Sequence, residues 1–153
     1  MKIFLLFVGK TKNPDLISLL REYAKRIHHF CDLTLTGIRP AEDHDAGRMM
    51  DREGEMLLAR IRPDAFVVAL DPAGESLTSR QFASLIGERR DHSLKDLVFV
   101  IGSHAGLSEK VKSRANKMLS LSAMTLNHEI AQLVLVEQIY RALTLIHHIP
   151  YHK

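Results

Sequence analysis

Apolar positions along this chain follow two rhythms, and the switch between them predicts the order of its elements. Lys2 to Val8 is a short, nearly continuous apolar run closed by Gly9, the pattern of a buried strand. Pro14 then suits a first helical turn. Leu16, Leu19, Leu20, Tyr23 and Ile27 recur at three- and four-residue steps, which predicts a helix from about Pro14 to His28. Cys31 to Ile38 alternates, with Leu33, Leu35 and Gly37 on one side and Asp32, Thr34 and Thr36 on the other, so a strand with one wetter face is expected before Pro40. A second helix is predicted from about Asp45 to Ile61, lined by Met49, Met50, Met56, Leu57 and Ile61 despite Gly54 in its middle. The methionines there read as core filler.

The second half repeats the alternation. Phe66 to Leu70 is a continuous apolar run, as in a strand covered on both faces, and Asp71-Pro72-Ala73-Gly74 supplies turn chemistry after it. Thr78 and Gln81 form a capping box ahead of Phe82, Leu85 and Ile86, which predicts a third helix. Leu97 to Ile101 is again a continuous apolar run. Gly102 to Gly106 breaks it, and Ser108 caps a short helix to about Lys117. Met118 to Leu121 fits a fifth strand and Ser122 to Asn127 a loop. From about His128 to His147 the last helix carries Ile130, Leu133, Val134, Leu135, Val136, Ile139, Tyr140, Leu143 and Ile146, more than one stripe. A helix apolar nearly all round is expected to be buried on most sides, in a chain this short against a second copy as well, so a homodimer through this helix is expected. The alternation as a whole predicts an α/β fold with a mostly parallel sheet flanked by helices. Ligands in such sheets lie past the carboxyl ends of strands, which directs attention to the turns after Leu70, Ile101 and Leu121.

Composition narrows the class. With 153 residues, 46% of them hydrophobic and 25% charged, the chain suits one globular domain spanning 1–153, and it contains no internal repeat. Cys31 is the single cysteine, which excludes an internal disulfide and argues against a thiolate zinc cluster. No apolar run reaches membrane-spanning length or has the form of a secretory signal, so neither a membrane nor export is expected and a cytoplasmic location is. Lysine and arginine total 21 against 18 acidic residues, a formal charge of +3 that is compatible with a polyanionic partner. The nine histidines do not read as a metal site, because neighbours such as His28-His29 and His147-His148 point about 100° apart on a helix.

Three places carry candidate chemistry. Gly102-Ser103-His104-Ala105-Gly106 follows a buried strand, matches neither phosphate-loop nor dinucleotide patterns, and has small residues that let backbone approach a ligand closely. His128 stands where the last helix begins, beside the Ser122 to Asn127 loop. Tyr151-His152-Lys153 closes the chain with a phenol, an imidazole and an ammonium.

The chain reads FVIGSHAGL from Phe99 to Leu107, LSLSAMTLNH from Leu119 to His128, VEQIYRAL from Val136 to Leu143, and ends in PYHK. Weaker agreement continues upstream in FVGK near the start, REGEMLLARI from Arg52 and VALDPAGESLTSRQFA from Val68. In these motifs it resembles the family of ribosomal RNA large-subunit methyltransferase H, minimal enzymes of the SPOUT class. The resemblance implies a C-terminal trefoil knot, which periodicity gives no hint of, since chains as a rule do not thread loops. It implies a homodimer, S-adenosylmethionine as cofactor, and methylation of N3 of a pseudouridine in helix 69 of 23S ribosomal RNA on the assembled ribosome.

Carried over by motif, the cofactor contacts are Leu70, Gly102, Leu121, Ser122, Ala123, Met124, Thr125 and Leu126. His128, Tyr151 and His152 are the candidates for holding or relaying the proton, and Arg141 and Lys153 for meeting phosphate. No metal is implied. Three positions depart from the family pattern: Ser103 where a second glycine is usual, Asn127 for a proline, and Gln132 for an arginine. The loss of that arginine is expected to bear on RNA or subunit contacts. Another ribosomal or transfer RNA target, and a ribosome-binding factor that lost transfer, remain as alternatives.

Overall fold

The computed structural model describes residues 1–91 and 96–151 and contains a five-stranded sheet covered on both faces. The elements in order are β1 (Lys2–Val8), α1 (Pro14–Ile27), β2 (Asp32–Ile38), α2 (Ala46–Leu58), β3 (Phe66–Ser76), α3 (Ser79–Asp91), β4 (Asp96–Ile101), α4 (Glu109–Arg114), β5 (Lys117–Ser120) and α5 (His128–Ile146). The strands lie in the order β2-β1-β4-β3-β5, and every neighbouring pair is parallel.

Local chemistry starts the helices where the sequence places them. The Asn13 side chain accepts from the amides of Asp15 and Leu16 at 2.9 and 3.3 Å, with Pro14 in the first turn. Asp45 and Ser108 accept from the amides of Arg48 and Val111. Thr78 and Gln81 make the reciprocal pair, Thr78 N–H to Gln81 Oε1 at 2.8 Å and Gln81 N–H to Thr78 Oγ1 at 3.2 Å.

The pleat sorts the strands' side chains into two cores. Ile3, Leu5 and Phe7 pack with Leu97, Phe99 and Ile101 under α1, α3 and α5, while Leu6, Val8, Val98 and Val100 face α2 and α4. Two covered faces are why these strands read as continuous apolar runs rather than alternating ones.

Two expectations are corrected by packing. The residues Asp71 to Gly74 interrupt β3 instead of ending it. Leu70 and Glu75 both pair with Leu119 of β5, so the intervening residues bulge out, and the Ala73 amide closes a turn onto Asp71 Oδ1 at 2.8 Å. Gly74 is required there, since a Cβ would stand 2.6 Å from the Leu119 nitrogen. Secondly, α4 stops at Arg114 rather than Lys117. Asn116 bonds both ways with Val67, N–H to O and Oδ1 from N–H, each at 2.8 Å, and draws the chain into β5. The last helix is buried along much of its length within one chain, in keeping with its apolar pattern. α5 lies between α1 and α3 above the sheet, and that neighbourhood alone buries Leu135, Val136, Ile139, Ala142 and Leu143. Leu133, Val134 and Tyr140 stay half-buried and Ile130 is exposed.

Candidate active site at the carboxyl ends of the sheet

The bulge after Leu70, the turn after β4 and the loop after β5 converge with the first turn of α5 on one cavity of about 410 Å³. Of the residues expected to contact a cofactor, Leu70, Gly102, Leu121, Ser122, Met124, Thr125 and Leu126 line it, and Ala123 does not. His128 lines it too. Ser103, His104 and Gly106, from the turn that the sequence singled out, line it as well, and so do Asp71, Pro72, Ile101, Leu119, Ser120, Asn127 and Ala131, which were not named as contacts. Their signal was adjacency: each sits on or beside a turn already singled out.

Each turn is shaped by its own residues. After β4 the chain doubles back, with the Gly106 amide bonding the Ser103 carbonyl at 3.0 Å and Gly106 at a φ of 93°. A Cβ at Gly102 would run into the Gly106 carbonyl group, its carbon only 2.6 Å away. Ser103 Oγ accepts from the Ala105 amide at 3.3 Å, so the hydroxyl that departs from the family pattern helps close the turn. In the next loop Ser120 Oγ donates to the Ser122 carbonyl at 2.9 Å, and Ser122 Oγ accepts from the Met124 amide at 2.9 Å. Asn127 caps α5 through its side chain on the Glu129 amide at 2.8 Å, a role that its residue type suits in place of proline.

The walls are largely apolar, with hydroxyls, backbone and two imidazoles between them. Asp71 stands at the rim beside Lys112, 3.0 Å away. Its burial acts to raise the carboxyl pKa, but the Ala73 amide and the Lys112 ammonium outweigh that and hold it below the usual carboxylate range.

Tyr151 is elsewhere. The Tyr151 hydroxyl donates to Glu137 Oε1 at 3.1 Å, and Arg141 donates to the same oxygen at 2.7 Å while its guanidinium stacks 4.9 Å from the Tyr151 ring. Burial first, then the Tyr23 hydroxyl and the Glu137 carboxylate, push the Tyr151 phenol well above its usual pKa, so it stays protonated. Glu137 follows His128 along α5 by nine residues, about 13 Å at the helical rise. Within one chain Tyr151 therefore does not meet the cavity, and Arg141 is engaged by Glu137. His152 and Lys153 lie outside the described residues.

Gln132 is the largest surprise among the departures. It is 1% exposed and points inward, with its Oε1 accepting from Thr11 Oγ1 at 3.0 Å. Its side chain is therefore drawn into the packing between α5 and the β1–α1 loop. Among the described residues no three histidine, cysteine or acidic side chains stand together as metal ligands, and no helix is long and apolar enough to cross a membrane.

Comparison with known proteins agrees with this geometry. Residues 1–152 match the family described as predicted SPOUT methyltransferase. Proteins named ribosomal RNA large subunit methyltransferase H from Trichlorobacter lovleyi and Gemmatimonas aurantiaca are each 41% identical, over 99% and 100% of both chains respectively. The fold is similar to that of a probable methylase family protein from Haemophilus influenzae, with a TM-score of 0.56 at 13% identity, over 99% of this chain and 70% of that one. With the motifs, the parallel sheet and the full-length identity in agreement, the chain belongs to the SPOUT methyltransferases and, within them, to the family of ribosomal RNA large subunit methyltransferase H.

Proposed function

We propose that this protein, a single domain working as a cytoplasmic homodimer, uses S-adenosylmethionine to methylate N3 of a pseudouridine in helix 69 of 23S ribosomal RNA on the assembled ribosome. The observation that carries the reading is the convergence of the motif-bearing turns after β3, β4 and β5 on one cavity at the sheet's carboxyl ends. The residues present fit the cofactor. Leu70, Ile101, Leu121 and Leu126 offer apolar walls for an adenine and an aliphatic stem, and the hydroxyl-bearing loop from Ser120 to Thr125 offers polar partners. A volume of about 410 Å³ falls within the range of small-molecule sites. A C-terminal knot is compatible with the return of the chain from edge strand β5 to α5, between α1 and α3.

When bound, S-adenosylmethionine supplies an already activated methyl group. The chain's own task is then to orient the substrate and accept a proton. His128, in the cavity wall at the start of α5, is the residue placed to hold or relay the imide proton. Tyr151 is protonated and lies along α5 from the cavity of its own chain. The role expected for Tyr151 thus requires the tail of a second copy, with Tyr151 as a hydrogen-bond donor and not a base, and His152 remains a candidate for the proton. Leu133, Val134 and exposed Ile130 offer that copy apolar surface. Arg141 and Lys153 are the residues that meet phosphate in this reading, with the Arg141 guanidinium oriented by Glu137. Such a small protein relies on the folded ribosomal surface for much of its specificity.

The test is to incubate the protein with labelled S-adenosylmethionine and ribosomes lacking the modification, then map incorporation by mass spectrometry. A methyl group on the helix 69 pseudouridine is expected. Incorporation confined to another base, or none despite measurable cofactor binding, overturns the proposal.

A further inference from the structure

A second cavity of about 390 Å³ opens on the other side of the first turn of α5, over the carboxyl ends of β1 and β2. Its walls include Phe7, Leu20 and Leu35, and Lys10 and Arg21 stand exposed on its lining. Neither cation has an ion-pair partner among the described residues. Gln132 reaches into it from α5 with an amide that is only half used: Oε1 takes the Thr11 hydroxyl, and Nε2 has no hydrogen-bond partner among the described residues. Turning the amide over changes which atom is unpaired but leaves one unpaired all the same, because Thr11 supplies a single hydroxyl. A buried, unpaired amide nitrogen is costly unless something pairs with it.

From these features we infer that this cavity is a nucleotide subsite, taking a base of the RNA strand a few nucleotides from the one modified. The inference rests on the reading of an RNA substrate given above. A carboxamide recessed among apolar side chains suits the hydrogen-bonding edge of an unstacked base, whose faces the apolar walls accept. Two unpaired cations outside it suit the flanking phosphates. Position supports the assignment as well. Ala131 lines the first cavity and Gln132 the second, so one helix, about 10 Å across, separates them. That width exceeds one nucleotide step, so a base seated here lies a few nucleotides along the strand from the one in the first cavity. The loop between β1 and α1 is tied to the same helical turn, with the Lys12 and Asn13 amides on Glu129 and Thr11 on Gln132. A base seated here braces the turn that carries His128.

Two measurements test this. In an amide NMR titration with adenosine and uridine 5′-monophosphates, the Gly9, Lys10 and Thr11 amides and the Gln132 side-chain NH2 are expected to shift, and Gln132→Leu to abolish the response. Shifts reproduced in full by inorganic phosphate, or confined to the cavity around Gly102 and His128, overturn the subsite. So do signals at Gly9 to Thr11 that move with protein concentration alone, which would assign the cavity to a second copy. In methyl transfer to ribosomes, the Lys10→Gln/Arg21→Gln variant is expected to raise KM about tenfold and flatten the logarithmic salt dependence by about 1.4, the value for two single-strand phosphate contacts. Its kcat and cofactor affinity are expected to stay within about twofold, as for uniform binding lost. An unchanged KM in an otherwise active enzyme overturns the inference. A wild-type protein that transfers no methyl group overturns the function instead, while the titration still reports on the cavity.

Discussion

Gly54 in α2 and Gly102 after β4 are both glycines because nothing larger fits, yet they sit in regions of different purpose. At Gly54 a Cβ would press on the Ser108 side chain, with its Cβ 3.1 Å away, where α2 packs on α4. At Gly102 it would press on the backbone of Gly106, across a turn that walls the candidate active site. A side chain can rotate away from a new methyl group, whereas a carbonyl held by its own turn cannot. The same crowding therefore serves cohesion in one region and the outline of a binding cavity in the other.

The comparison can be broken by experiment. The largest effect is expected for Gly102→Ala, which should weaken S-adenosylmethionine binding by about 100-fold, or about 2.8 kcal/mol, measured by calorimetry. Next, His128→Ala should lower methyl transfer by about 100-fold while cofactor affinity and melting temperature hold. Equal loss of binding would make His128 a wall and not a proton carrier. Gly54→Ala should do the reverse. Overpacking costs about 1–3 kcal/mol and a disturbed Ser108 cap about 1 kcal/mol, against a helix-propensity gain of up to about 1 kcal/mol. The net loss of about 1–3 kcal/mol lowers the melting temperature by roughly 2–12 °C, with cofactor affinity unchanged. If Gly54→Ala impairs binding as much as Gly102→Ala does, the distinction between the two regions fails.

The smallest effect concerns Asp71, whose folded-state pKa is depressed. Its contribution is present above its ordinary value of 3.8 and is lost as pH falls through the lower folded value. Asp71→Asn should cost less than about 1 kcal/mol at neutral pH and flatten the stability profile below about pH 4. A mutant that loses stability in acid as steeply as wild type would show that Lys112 and the Ala73 amide do not act through this carboxylate.

Much of this was legible in the chain. Periodicity gave ten elements in their order because the period-two and period-3.6 patterns are local properties of strands and helices. Caps at Thr78 and Ser108 were readable for the same reason, since each pairs with an amide three residues on. The turns lining the cavity were found because strand ends in α/β sheets collect ligands. Motif resemblance supplied what spacing could not, above all the loop from Leu121 to Leu126, whose composition alone reads as a plain linker.

What the chain determined by itself, then, is the sequence of elements, their caps and the turns where chemistry gathers. Only the folded structure decided that β3 runs on through Pro72, because β5 is there to pair with Glu75 and Ser76. Only it decided that Gln132 turns inward to Thr11, which is 121 positions away, and that Tyr151 settles on Glu137 instead of beside His128. These outcomes depend on which distant segments become neighbours. Strand order and helix packing set that, and no local pattern records it.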